Sequence, residues 1–279
     1  MDYSSLVSQI RVMHQQEKSI SYRSIDYMSM AANIVRLCPS DREALCIWGY
    51  RTVAACNGVS RSTAVKAISY FDRFLGTSAP AAMRALTDLG DAQLAFIACL
   101  VISLKVHSCF NVKADFVSNV VCRNEYDANE ICTMELQVLQ ALGWKLNGPL
   151  GHDFIDYYLE AVPSIQGIHR EFLTQLSKGL VELAMTKYSM ALHRPSEVAF
   201  ASIFCALQYA EFDVTVSLLA IQMISGLDQN DPRLRSLLHS MSCLVSEFVS
   251  EPESNGARTP QVQLANSVSD EDSLSLARW

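Results

Sequence analysis

Two pairs of charged residues stand where the sequence otherwise spends little on charge. Lys105 closes a run, residues 92–104, in which eleven of thirteen residues are apolar. Glu135 sits in Met134-Glu135-Leu136-Gln137-Val138-Leu139, a second apolar run. An unpaired ammonium is expensive to bury, so Lys105 must reach the surface at a helix end or find a partner. Three readings follow: a structural salt bridge between Lys105 and Glu135, two unrelated exposed residues, or a polar centre in an apolar surface that grips a partner's backbone. The second pair is Arg42 and Asp72, the latter flanked by aromatics in Tyr70-Phe71-Asp72-Arg73-Phe74-Leu75. A guanidinium matches a carboxylate with two parallel hydrogen bonds. A buried bridge of that kind would tie one helix to the next in a structural role.

Other chemistry is not supported. The chain has no P-loop, no GxGxxG, no HExxH and no GxSxG. The six histidines (14, 107, 152, 169, 193 and 239) form no i, i+4 pair, so no metal site is expected. The nine cysteines are odd in number, lack a CxxC and lie in apolar stretches. They read as reduced core thiols of an intracellular protein, not as a disulfide or zinc framework. The reading is therefore of a protein that is not an enzyme and uses no cofactor. Net charge is −7 without a long basic run, which argues against nucleic-acid binding. The apolar stretch 92–104 is too short to span a bilayer, so no membrane partner is expected. The N-terminus is polar, with no apolar core of a secretory signal.

The elements that must carry these residues are helical. The chain has 279 residues, half of them hydrophobic, with only 11 Gly and 8 Pro, few for a turn-rich β protein. After a weakly amphipathic lead, residues 23–36 carry apolar residues at helical spacing. Cys38-Pro39-Ser40-Asp41 then stops one helix and starts another, with Ser40 or Asp41 as the natural N-cap. Helices are predicted over 42–56, 60–75, 91–107, 114–121 and 127–142. After Pro149 a second series covers 153–161, 165–188, 195–211, 214–227 and 233–249, with Pro195 in a first turn that tolerates it. Two sets of five helices, each with an unusually apolar central member, suggest two copies of one α-helical fold. The predicted segments are a lead (1–22), a first fold (23–148), a second fold (149–249) and an acidic, disordered tail (250–279) rich in Ser, Pro and Glu.

Five stretches in order carry a family resemblance: Arg42-Glu43-Ala44-Leu45 with Trp48; Tyr70 to Leu75; Gln93-Leu94 through Leu104-Lys105; Met134-Glu135 through Gly143-Trp144-Lys145-Leu146; and Asp153-Phe154-Ile155-Asp156-Tyr157. Together they resemble the cyclin box, and residues 182–207 are similar to the second cyclin fold. The Phe-Asp-Arg-Phe-Leu and Asp-Phe-Ile-Asp-Tyr-Tyr-Leu stretches look closest to D-type cyclins. The resemblance implies an all-α protein of two consecutive cyclin folds. It implies a regulatory subunit that binds, activates and helps target the catalytic subunit of a cyclin-dependent kinase in cell-cycle control at G1/S, in nucleus and cytoplasm. A transcriptional or nutrient-sensing cyclin, or an adaptor of the general transcription machinery with tandem cyclin folds, is the alternative.

By the same resemblance, Lys105 and Glu135 match the pair that hydrogen-bonds the kinase near its αC helix. Val106, Trp144 and Leu146 match apolar positions against that helix. Leu45, Trp48 and Gln93 match a docking groove for Arg-x-Leu motifs of substrates or inhibitors, although Leu45 and Trp48 also fit a plain core role. Three features depart from the family. Val106-His107-Ser108-Cys109 stand where acidic residues usually follow the lysine. Asp41 precedes Arg42 where the groove usually has a hydrophobic residue. The segment between Leu75 and Gln93 is a few residues longer than usual. Thr259-Pro260 in the tail resembles a phosphorylation site controlling turnover, or belongs to an inert solvated tail.

Overall fold

The computed structural model describes residues 3–30, 35–108 and 112–250. Predictions on residues 31–34, on Cys109 and on the tail after Ser250, including its disorder and Thr259, lie outside them. Among the described residues the secondary structure is helical, with no strand. In chain order the helices are α1 (Tyr3–Lys18), α2 (Tyr27–Met30), α3 (Pro39–Ala55), α4 (Ser62–Leu75), α5 (Pro80–Thr87), α6 (Leu89–His107) and α7 (Ala114–Phe116). A π-turn, Val117–Val121, follows, then α8 (Ala128–Ala141), α9 (Gly151–Glu160), α10 (Gly167–Thr186), α11 (Tyr188–Ala191), α12 (Pro195–Tyr209), α13 (Val214–Ser225) and α14 (Pro232–Ser250). The chain divides into two compact units. Among the described residues, one takes in Ser24–Asn147 with Met185–Tyr188; the other takes in residues 3–23, Gly148–Ala184 and 189–250.

The first unit is built around α6. Every residue from Ala92 to Leu104 is buried, because α4, α5 and α8 pack on it from different sides. Each large apolar side chain removed from water there contributes roughly 1.5–3 kcal/mol. By length and composition alone α6 could cross a membrane, but its apolar surface is spent on these neighbours. The two polar residues between Ala92 and Leu104 are used as well. Ser103 Oγ donates to Thr63 O at 2.8 Å, and Gln93 Oε1 accepts from Tyr126 Oη at 3.0 Å. Phe96 is the centre of the cluster, edge-on to Phe71 at 5.2 Å and to Trp48 at 6.1 Å between ring centroids. Helix α3 comes this close only because Gly49 has no side chain: a Cβ there would lie 2.8 Å from the Phe96 ring.

Helix starts differ from the sequence reading in an instructive way. Helix α3 begins at Pro39, not Arg42, and its N-cap is Cys38, not Ser40 or Asp41. Proline fits the first turn, and Asp41, now at the third helical position, reaches back to accept the Cys38 N–H at 2.9 Å. Asp88 caps α6 by accepting from Asp91 N at 3.0 Å. The stretch between Leu75 and Gln93 holds the short helix α5, which sequence periodicity over eight residues did not reveal.

The second unit repeats the plan with α12 at its centre, packed by α9, α13 and α14. Helix α1 lies on α9 and α13 and buries Leu6, Ile10 and Met13. Its Glu17 carboxylate accepts from Ser196 N at 3.1 Å and Ser196 Oγ at 2.7 Å, so a residue of the lead supplies the N-terminus of α12 with a buried anion. The predicted helix 165–188 is two elements, since the chain breaks at Lys187 between α10 and α11.

Candidate functional site

Helix α6 ends where its apolar run ends, which puts Lys105 in its last turn, beside the negative end of the helix dipole. Helix α8 packs alongside and carries Glu135 to the same level. Lys105 Nζ donates to both carboxylate oxygens, at 2.9 Å to Oε1 and 2.7 Å to Oε2. The lysine side chain is 38% exposed and the glutamate 12%. The residue after each member of the pair is an exposed apolar side chain: Val106 after Lys105 and Leu136 after Glu135. The pair thus has an exposed apolar side chain next in sequence to each member, and Glu135 keeps acceptor capacity beyond the lysine.

The loop after α8 adds a large exposed ring. Trp144 N donates to Leu139 O at 3.0 Å and Gly143 N to Gln140 O at 3.0 Å, closing the helix with two successive left-handed residues, Gly143 (φ 57°) and Trp144 (φ 60°). Glycine takes that conformation without strain, but a tryptophan does not. The strained backbone turns the indole outward, and Trp144 is 63% exposed. Arg73 on α4 pins the loop from beneath through Nη2 to Lys145 O at 2.6 Å, and Leu146 is half-buried. At the end of α6, His107 Nε2 is 2.8 Å from Tyr70 Oη, so the residue standing where an acidic one was expected is tied to α4.

Arg42 and Asp72 meet as a buried bidentate bridge. Nε donates to Oδ1 and Nη2 to Oδ2, both at 2.7 Å, with neither residue more than 1% exposed. Two more guanidinium hydrogens go to Thr186 O (2.8 Å) and Met185 O (3.0 Å), and Asp72 also accepts from Tyr27 Oη at 2.9 Å. Burial works against the Arg42 charge, but the charge and hydrogen bonds of Asp72, with Cys46 and Tyr27 beside it, together outweigh that and raise the guanidinium pKa further. Burial is also what lifts the Tyr27 phenol, with Asp72 adding to it, so Tyr27 stays a donor.

Leu45 (4% exposed) and Trp48 (6%) are nearly enclosed, and Gln93 is 7% exposed with its oxygen held by Tyr126. The three are brought close: Trp48 packs on Phe96, and Gln93 lies one turn before Phe96 on α6. Trp48 Nε1 is buried and has no hydrogen-bond partner among the described residues. Arg73, Tyr126 and Tyr27, which position the loop, the glutamine and the bridge, were not singled out by the sequence reading. Only their polar tips among apolar neighbours could have flagged them. The cysteines that the structure describes are free thiols. Burial pushes the Cys46 thiol up to about 12 and that of Cys122 to about 11, so both are unreactive. No cluster of three metal-ligating side chains occurs among the described residues.

Among the described residues the molecule is two all-helical units, the first carrying a partly exposed ion pair at the end of α6. Residues 9–147 match the family described as Cyclin, N-terminal domain, and residues 149–258 that described as Cyclin, C-terminal domain. The chain belongs to the cyclin family. It is similar to the G2/mitotic-specific cyclin-B of Drosophila melanogaster, 37% identical over 116 residues that cover 41% of this chain and 21% of that protein. It is similar to the G1/S-specific cyclin-D1 of Danio rerio, 26% identical over 192 residues that cover 67% of this chain and 63% of that protein. The match thus spans about a fifth of the one relative and under two thirds of the other. Among solved structures, a viral cyclin from herpesvirus saimiri shares the fold, with TM-score 0.68 at 15% identity, covering 85% of this chain and 96% of that one. D-type cyclins are therefore among the relatives, beside a B-type one.

Proposed function

We propose that this chain binds the catalytic subunit of a cyclin-dependent protein kinase and activates it, acting at the G1/S step of the cell cycle in nucleus and cytoplasm. One observation carries the reading: the Lys105–Glu135 pair is partly exposed, and Val106, Leu136 and Trp144, which follow its two members along the chain, are exposed apolar side chains. Such a face suits an amphipathic helix whose end must be fixed in register. The apolar side chains supply area, while the lysine donates and the glutamate accepts at backbone groups of the partner. Holding the kinase αC helix inward allows the kinase's own Lys–Glu ion pair to form. The chain does no chemistry in this scheme; it binds one kinase conformation better than the other and so shifts the population. Leu45, Trp48 and Gln93 stand, by the family resemblance, for a docking groove for Arg-x-Leu motifs of substrates or inhibitors, and the near-complete burial of Leu45 and Trp48 equally fits a plain core role.

The test is co-purification of kinase activity with the full chain and with Lys105→Ala and Glu135→Ala. Each variant is expected to fold normally and to lose most of the bound activity. Parent-level recovery by both single variants would show that this face is not the kinase interface.

A further inference from the structure

The two stretches that the kinase reading uses lie where order is easily lost. Lys105 and Val106 stand in the last turn of α6, and Trp144 in the loop after α8. Helix ends and loops are the parts of a fold that open at the lowest free energy. Trp144 also holds a left-handed backbone at φ 60°, directly after Gly143 at φ 57°. A residue with a side chain stays in that conformation only where its surroundings hold it there.

One turn of α4 reaches both places. Tyr70 and Arg73 are three apart, so they are neighbours on one face of that helix. Tyr70 Oη lies 2.8 Å from Nε2 of His107, the last residue of α6. Burial raises the Tyr70 pKa, so the phenol keeps its proton and is a donor for the ring nitrogen. Arg73 Nη2 donates to Lys145 O at 2.6 Å, one residue beyond Trp144. Both side chains are anchored in a rigid element. Helix α4 packs on α3, α5 and α6, and Asp72, between Tyr70 and Arg73, is fixed by the Arg42 bridge.

We infer that Tyr70 and Arg73 are positioning residues for kinase binding: from one turn of α4 they hold the end of α6 and the Trp144 loop in the arrangement that the complex needs. The inference rests on the kinase reading above. A surface already in its bound arrangement gives up less freedom on binding, so the effect belongs to affinity and not to the rate of the assembled complex.

The test titrates the full chain and its variants into a panel of purified, monomeric cyclin-dependent kinase subunits while phosphorylation of a peptide is followed. Tyr70→Phe removes only the hydroxyl, and Arg73→Gln removes the charge. Each is expected to raise the concentration for half-maximal rate about three- to tenfold at the same maximal rate. Arg73→Lys, which keeps a charged donor, recovers most of that loss. A second readout uses no kinase. In the free chain carrying fluorine-labelled tryptophan, the Trp144 resonance, assigned with Trp144→Phe, is expected to move in Arg73→Gln and to return in Arg73→Lys. Tyr70→Phe keeps its ring in place, so it decides the matter even where Arg73→Gln fails to fold. Half-maximal concentrations equal to the parent's in Tyr70→Phe and Arg73→Gln, or a lowered maximal rate at an unchanged half-maximal concentration, would overturn the positioning role and leave the kinase reading standing. A parent that stimulates no subunit of the panel would overturn the kinase reading, and this inference with it.

Discussion

Arg42 shows what residue types alone disclose. An arginine in the first turns of one helix and an aspartate among aromatics on the next suggest a buried bridge, and the two do meet at 2.7 Å. The partners that complete the site were not legible. Tyr27 and the carbonyls of Met185 and Thr186 come from parts of the chain too distant to leave a local pattern. Removing one member of such a pair strands the other charge in the interior. Arg42→Met is expected to lose about 3–5 kcal/mol, and the double variant Arg42→Met with Asp72→Leu is expected to recover part of it, both read from denaturant midpoints. Trp144 was quoted as a family position, but its exposure follows from a left-handed backbone that no spacing rule anticipates. Gly49 is equally silent in sequence. Gly49→Ala would drive a methyl group into the Phe96 ring and is expected to lose about 1–3 kcal/mol by the same measurement.

At the scale of elements, the long helices were legible because burial imposes a period. The caps were less so, because geometry assigns that role to whichever residue stands at the right backbone position. Cys38 holds the cap of α3 while Asp41 does the hydrogen bonding. Helix α1 reads weakly because its inward residues, Leu6, Ile10 and Met13, are spaced among polar ones. Glu197, at the third position of α12, carries a pH signature. Burial pushes its carboxyl up, but His193, with Nδ1 3.4 Å from Oε2, the Arg194 N–H donating to Oε2 at 3.0 Å and the charge of Arg233 together outweigh that and hold it below the ordinary value of 4.5. A carboxyl depressed on folding stabilises above its unfolded pKa, and that stabilisation is lost as pH falls through the folded one. Glu197→Gln should therefore lower the melting temperature at pH 7, and the gap from the parent should narrow below pH 4.5. A gap that stays constant from pH 7 to pH 3.5 would show that the depressed carboxyl adds nothing.

For the whole molecule, the two-copy plan was legible in two sets of five predicted helices, each with an unusually apolar central member, and the family in five short stretches that stand in order at near-family spacing, although each alone is weak. The tail beyond Val249 carries Thr259-Pro260 and five acidic residues against two arginines. If it is a turnover segment, truncation after Val249 should lengthen the protein's half-life in cells, as followed by pulse-chase. The central claim concerns activation, and reconstitution tests it most directly. Purified full chain is titrated into a purified, monomeric cyclin-dependent kinase subunit while phosphorylation of a peptide is followed. The parent should raise the rate saturably and by orders of magnitude, and Glu135→Ala and Trp144→Ala should need far more protein for the same rate. A basal rate left unchanged by the parent across a panel of such kinases, or full stimulation by both variants at parental concentrations, would contradict it.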